Sequence, residues 1–316
     1  MTGSDAEPAD RSSGARIAVL IPCYEDGGLL ETTVRSIDET EPVEIVVVDD
    51  GSTGAATHAA LDRLEGAGVK VIRHGENRGV SAARNSALAA STAPFVFPLD
   101  ADDLAISGRL GEMADRLDQD RQAAVCYGDF LEFGRHLLLR AVPGRIDPFR
   151  LVYANEYPPA ALFRRSTLEQ IGGWHRVWDG LDARSDWGLW MSLAEEGALG
   201  LHFGSRIPTY LYRLHEPRLA MRGRKYHREI YEGLKAAHPR LFGHIPEHRR
   251  ESDLPATRKL LYPLIYGRRS LRPWEAEPHV KRALDKLGLW TLQHRMTSEE
   301  RERLGRVVVE SGGTPP

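Results

Sequence analysis

From Arg16 onward, short apolar runs alternate with stretches of helical spacing. RIAVLIPCY (16–24) is the near-continuous apolar run of a strand buried on both faces, and VEIVVVDD (43–50) is a second, dense in β-branched residues. VKVIRH (69–74), FVFPL (95–99) and AAVCYGDF (123–130) predict three more strands. Between them, Leu29–Glu39 places Leu30, Val34 and Ile37 on one helical face, and Ala59–Leu64, Val80–Ala90 and Ser107–Leu117 also predict helices. Such alternation implies an α/β fold: a mostly parallel, Rossmann-like sheet with helices on both faces and ligands beyond the carboxyl ends of the strands. Three polar clusters each follow a strand, Cys23-Tyr24-Glu25-Asp26, Asp49-Asp50-Gly51-Ser52 and Asp100-Ala101-Asp102-Asp103, and are expected to converge on one edge.

Beyond Phe130 the alternation weakens. LLLRAVPGRIDPF (137–149) reads as a strand and a turn, and Ser185–Gly197 as a helix closed by its glycine. After about Tyr226 the pattern is helical, broken by Pro239, Pro246, Pro255, Pro263, Pro273 and Pro278. The organisation expected is a disordered lead-in over 1–15, an α/β domain over 16–220, a helical C-terminal region over 221–310 and a tail over 311–316.

Composition adds a charge asymmetry. The 316 residues carry a net charge of −3, yet between Ser205 and Glu310 there are 23 Lys/Arg against 13 Asp/Glu, leaving 19 and 32 elsewhere. A basic C-terminal third suggests an anionic partner, or peripheral contact with the inner face of a membrane. No nucleic-acid motif accompanies it. The two cysteines form no framework, and neither a signal peptide nor a spanning run is present, so the cytoplasm is the expected location.

The chemistry centres on Asp100, Asp102 and Asp103. Carboxylates this close repel one another unless a positive group relieves them. Oxygen-only ligands suit a hard divalent cation, Mg²⁺ or Mn²⁺, which binds proteins through one or two carboxylates plus substrate phosphates. The plainer alternative is that Asp102 or Asp103 caps the following helix.

Four segments in order, IPCYEDGGLLETTVRSI, VVVDDGST, NRGVSAARNSAL and the D-x-DD turn, together resemble the family 2 glycosyltransferases, whose nucleotide-binding domain has the GT-A fold. The resemblance is close from Arg16 to Arg109 and looser to about His215. It implies a nucleotide-diphosphate sugar donor, with a UDP-sugar favoured, and transfer with inversion to an acceptor hydroxyl on a glycan, a lipid-linked or a small molecule. Pro22 and Tyr24 would flank the nucleobase, Asp50 would accept a base N–H, and Glu25 stands near the donor where the family commonly has Asn. Arg84 would bind the donor or brace the aspartates. Asp100 and Ala101 would contact the donor, while Asp102, Asp100 and His215 would hold the metal. RSDWGLWMSLAEEG resembles the family's ED-x-x-LW segment, making Asp186 the general base, with Ser185 and Ser192 departing from the usual Glu and Arg. Asp179 and Asp182 are rival carboxylates in the same region, and Trp174 suits either a sugar face or a core. Arg213, Arg218, Arg222 and Arg224 suit a departing diphosphate or an anionic acceptor.

Two other functions fit parts of the pattern. A catalytically silent sugar-nucleotide binder would keep the donor motifs. A Mg²⁺-dependent phosphatase of the haloacid-dehalogenase type also uses D-x-D, but after its first strand, whereas here the motif follows the fourth and Leu104 stands where Thr or Val is wanted. A dinucleotide oxidoreductase is disfavoured, since no G-x-G-x-x-G follows a strand.

Overall fold

The computed structural model describes residues 14–180, 182–215, 226–266 and 294–314, with side chains described except at 264–266. Its larger sheet has seven strands: β1 (Ile17–Cys23), β2 (Val43–Asp49), β3 (Lys70–Arg73), β4 (Phe95–Pro98), β5 (Ala123–Tyr127), β8 (Leu162–Arg164) and β9 (Leu199–His202). Their spatial order is β3-β2-β1-β4-β8-β5-β9, parallel throughout except that β8 runs antiparallel to both neighbours. Sequence order reverses between β1 and β4, so the carboxyl ends of these two strands open the crevice where ligands of such sheets bind.

The side-chain alternation of β1 explains the two layers. Ala18 and Leu20 face a cluster containing Ala83 and Ala87 of α3 (Val80–Ala90) and Trp187 and Trp190 of α7 (Ser185–Glu195). Ile17, Val19 and Ile21 face the opposite cluster, with Leu30 of α1 (Gly27–Arg35), Leu61 of α2 (Ala55–Gly66) and Met113 of α4 (Arg109–Gln119). Both faces are therefore covered, and the core is two apolar sheets of side chains on either side of one β-sheet.

A smaller sheet contains the strand expected at the start of 137–149 together with two others that the sequence does not single out. It comprises β6 (Phe130–Gly134), β7 (Leu138–Arg140) and β10 (Leu211–Leu214) in the order β10-β6-β7. Reciprocal backbone bonds between Leu104 and Leu211, 3.0 and 2.9 Å, fasten β10 to the acidic turn after β4. Short helices α5 (Pro148–Leu151) and α6 (Arg165–Gln170) flank the larger sheet's later strands.

Helix α1 stops at Arg35, short of the expected Glu39. Ser36 Oγ bonds to Thr33 O at 2.6 Å and accepts Ala105 N–H at 2.9 Å, turning the chain toward the acidic loop. Glu39 instead caps α4, accepting the amides of Leu110 and Gly111 at 2.9 and 3.0 Å.

The C-terminal region contains α8 (His227–Ala237), α9 (Pro239–Gly243), α10 (Ile245–Glu251), α11 (Ala256–Tyr266) and α12 (Ser298–Glu310). Pro239 and Pro246 occupy first-turn positions of their helices, where a missing amide costs nothing. Pro263, expected to break a helix, lies inside α11. The neighbouring Tyr262 is buried against Phe149, so packing holds the helix through the proline. Pro273, Pro278, most of the expected lead-in and Arg218, Arg222 and Arg224 lie outside the described residues.

Candidate active site

The carboxyl ends of β1, β2 and β4 bring the three polar clusters to one edge, with Asp50 N–H donating to Cys23 O at 2.8 Å, and the N-terminus of α7 joins them through Arg84. Ligand oxygens of Asp100, Asp102 and Asp103 lie within 4.8 Å of one another. The turn is built rigidly. Thr33 Oγ1 lies 2.8 Å from the carbonyls of both Ala101 and Asp103, and Asp103 N–H donates to Asp100 O at 3.0 Å. Ala101 is buried, so its carbonyl is committed to α1. From β10, Arg213 N–H donates to Asp103 Oδ1 at 2.8 Å and Arg213 Nε to Asp102 O at 2.7 Å. His215 Nε2 stands 2.7 Å from Asp102 Oδ2.

Asp26, the N-cap residue of α1 three positions beyond β1, belongs to the same acidic group; the sequence places it in the first polar cluster without assigning it a role. Burial and the charge of Asp102 push its carboxyl up to about 6, against the opposing influence of His215. A carboxyl raised among other carboxylates marks a place where negative charge has been concentrated, which suits a cation. The donor set is all oxygen apart from His215, and hard divalent ions fit it.

Arg84 supplies the positive group. Its Nη2 donates to Asp100 Oδ1 at 2.6 Å and its Nη1 to Ser185 Oγ at 3.4 Å. Burial works against its charge, but the carboxylates of Asp100, Asp186 and Asp182 together outweigh that and keep it protonated. Arg84 therefore joins the acidic turn to the first turn of α7, where Asp186 sits beside Ser185. Asp186 is half-buried and accepts Asn155 Nδ2–H at 2.7 Å. Burial raises its carboxyl above the usual range, opposed by Arg184 and Arg84, and Asp100 adds to the rise. The Tyr210 hydroxyl registers the same geometry from below. It is fully buried, has no hydrogen-bond partner among the described residues, and is pushed well up by burial and by the charges of Asp103, Asp100 and Asp186.

The rival carboxylates separate cleanly. Asp182 accepts Ser81 N–H at 2.7 Å and Ser81 Oγ–H at 2.8 Å, holding the start of α3, while Asp179 is exposed. Gly79, at φ +94°, leaves room for this, since a Cβ there would lie 2.6 Å from Asp182 Oδ2. Trp174 is a core residue, buried, with its amide and carbonyl both bonded to Asn85.

On the donor side, Pro22 is buried and Tyr24 is 48% exposed at the mouth of the crevice. Glu25 holds a left-handed backbone, φ 62°. Its carboxylate accepts Thr53 N–H, Thr53 Oγ1–H and Gly54 N–H at 2.7, 2.9 and 3.0 Å. Asp49 orients its own turn by accepting Ser52 N–H at 3.0 Å. Asp50 is buried. Its Oδ1 takes Arg78 N–H at 3.0 Å and faces His74 Nδ1 at 2.7 Å, and its Oδ2 takes Gly79 N–H at 2.8 Å. These three contacts leave one lone pair of Oδ2 unused by them. His74, itself 2.9 Å from Ser86 Oγ, carries no sequence signal for this role.

The site is thus a sheet switch point bearing an acidic turn, with the half-buried Asp186 carboxylate across the cleft. Residues 18–172 match the description "Glycosyl transferase family 2", and the chain belongs to that family. It is 40% identical over 135 residues to the succinoglycan biosynthesis protein ExoU of Rhizobium meliloti (strain 1021), covering 42% of this chain and 38% of that one. It is 30% identical over 122 residues to the uncharacterized glycosyltransferase YibD of Escherichia coli (strain K12), covering 38% and 36%. The match thus spans well under half the length of these curated relatives. Among solved structures, Staphylococcus TarS 1–349 in complex with UDP-GlcNAc aligns with a TM-score of 0.56 at 17% identity, over 94% of this chain and 80% of that one. Mannosyltransferase PcManGT from Pyrobaculum calidifontis, in complex with GDP-Man and Mn²⁺, aligns with a TM-score of 0.53 at 17% identity, over 98% and 89%. At such identities the two structures establish the GT-A fold. No described helix is long and apolar enough to cross a membrane.

Proposed function

We propose that this protein transfers a sugar from a nucleotide-diphosphate donor to an acceptor hydroxyl, with inversion, using Asp186 as the general base. The observation that carries the reading is the double reach of Arg84, to Asp100 on the acidic turn and to Ser185 beside Asp186. One buried side chain ties the donor side to the base side of the crevice.

Asp102 and Asp100, with Asp103 beside them, would hold Mg²⁺ or Mn²⁺, which when bound neutralises the diphosphate of the donor. Tyr24 offers a ring at the crevice mouth for the nucleobase, and Oδ2 of Asp50 offers an acceptor for a base N–H. A UDP-sugar is the favoured donor, and the GDP-mannose bound by PcManGT makes GDP-sugars the natural comparison. The acceptor oxygen bonds to the anomeric carbon from the face opposite the diphosphate. The glycosidic C–O bond breaks with its electron pair leaving on the diphosphate, and Asp186 takes the hydroxyl proton. A carboxyl raised by burial is a stronger base than an ordinary aspartate, which suits this step near neutral pH. The succinoglycan relatives point to a growing glycan as acceptor, lipid-linked or free, and the basic C-terminal region is the candidate contact for an anionic membrane face.

A thermal-shift screen of UDP-, GDP- and dTDP-sugars with and without Mn²⁺ tests the donor class, because ligand binding stabilises the native state. A metal-dependent shift with one nucleotide series supports the reading, and no shift with any of them contradicts it.

A further inference from the structure

The C-terminal helix α12 lies almost two hundred positions from the acidic turn in sequence, yet the two share one apolar cluster. Leu304 and Val308 of α12 are fully buried against Phe133 and Leu139 of the small sheet, and the same cluster contains Leu104 and Leu211. Those last two residues make the reciprocal backbone bonds that join β10 to the turn carrying Asp102 and Asp103. The next residues along β10 bring Arg213 and His215 onto that turn.

Polar fastenings hold the segment down at its start. Arg206 makes a forked pair with Glu300, with Nε and Nη2 donating to the carboxylate at 2.8 and 2.6 Å. Glu300 is also the third residue of a capping box with Thr297. His294 Nε2 lies 2.6 Å from Asp129 Oδ2, and Arg206 N–H donates to the same oxygen at 2.6 Å. Arg206 takes a left-handed backbone, φ 66°, which a non-glycine residue keeps only where its surroundings over-determine it. A three-stranded sheet with an apolar face also needs a cover, and α12 supplies it.

From this chain of contacts we infer that residues 294–310 are a brace that positions the acidic turn and His215, so that cation affinity at the turn depends on the docking of α12. Leu304 and Glu300 act as positioning residues, working through Leu104 and Leu211 on groups they do not touch. The inference rests on the proposed cation site, and its test separates the two.

The experiment compares Leu304→Ala, the milder Glu300→Gln and the control Glu302→Gln in the full chain. Glu302 pairs with Arg306 on the exposed face of α12 and should be silent. Two readouts are taken: Mn²⁺ affinity by calorimetry in the presence of UDP or GDP, and amide hydrogen exchange at residues 103–104 and 211–213. The brace predicts loss of protection by about tenfold or more in Leu304→Ala and Mn²⁺ affinity weakened by about fivefold or more. Glu300→Gln should follow in the same direction and Glu302→Gln should match the parent. Unchanged protection at those amides in both test variants overturns the brace, whatever the metal does. Lost protection with unchanged Mn²⁺ affinity overturns its link to the cation. A parent protein that binds no Mn²⁺ with either nucleotide present overturns the cation site itself, and the exchange data then still decide whether α12 orders the turn.

Discussion

Arg84 Nη2 lies 2.6 Å from Asp100 Oδ1, and the guanidinium is buried while the carboxylate is 35% exposed. The pair closes the floor of the crevice and leaves Asp100 an open side. Breaking a fully buried pair costs about 3–5 kcal/mol. Here solvent reaches Asp100, so Arg84→Ala should cost less, on the order of 2 kcal/mol. Chemical denaturation measures this, and a loss below about 0.5 kcal/mol would show the pair to be structurally idle.

Asp186→Asn removes the proposed base while keeping the bond to Asn155 within reach of an amide. Turnover should fall by about 10²- to 10⁴-fold with donor KM little changed. The parent's kcat/KM should fall as pH drops through a value above the usual aspartate range, because burial raises this group and only its ionised form accepts a proton. Steady-state kinetics with a transferable acceptor reads both, and undiminished turnover in the variant removes Asp186 from the mechanism.

Tyr210→Phe deletes a buried hydroxyl that has no partner among the described residues. An unsatisfied buried polar group costs about 1–3 kcal/mol, so the variant should be as stable as the parent or gain up to about 1 kcal/mol. A thermal melt that falls instead would mean that the hydroxyl has a partner, such as an ordered water beneath the acidic turn.

Glu25 is held below the usual carboxylate range, first by Thr53 N–H and then by the Thr53 hydroxyl and Gly54 N–H. Its folded pKa is depressed, so its contribution is present above the unfolded value and is lost as pH falls through the lowered one. Melting temperatures of the parent and Glu25→Gln should therefore differ most near neutrality and converge in acid. A constant gap across that range would contradict the assignment.

How far the sequence could be read follows from what each element depends on. Strands β1, β2 and β4 carry their own signal, since residues buried on both faces read as near-continuous apolar runs, whereas the edge strand β3 is short and only partly covered. Helix α3 is bounded by Gly79 and Ser91 where the spacing placed it. Strands β8, β9 and β10 are three or four residues long, and β8 reverses direction, so their identity comes from their neighbours. The same holds at the site. Asp100, Asp102 and Asp186 stand in recognisable strings. Asp26, His74, Asn155 and Tyr210 matter only because the chain folds them against those strings. Trp174 suits a sugar platform or a core equally in the sequence, and its burial against Phe163 makes it core.

The cation reading is tested most directly by calorimetric titration of UDP-GlcNAc and of GDP-mannose into the parent protein and Asp102→Asn, each with and without Mn²⁺. One of the two donors should bind the parent about tenfold or more tightly when Mn²⁺ is present, and the substitution should erase that difference. Equal affinity with and without the ion in the parent protein would contradict the role assigned to the acidic turn.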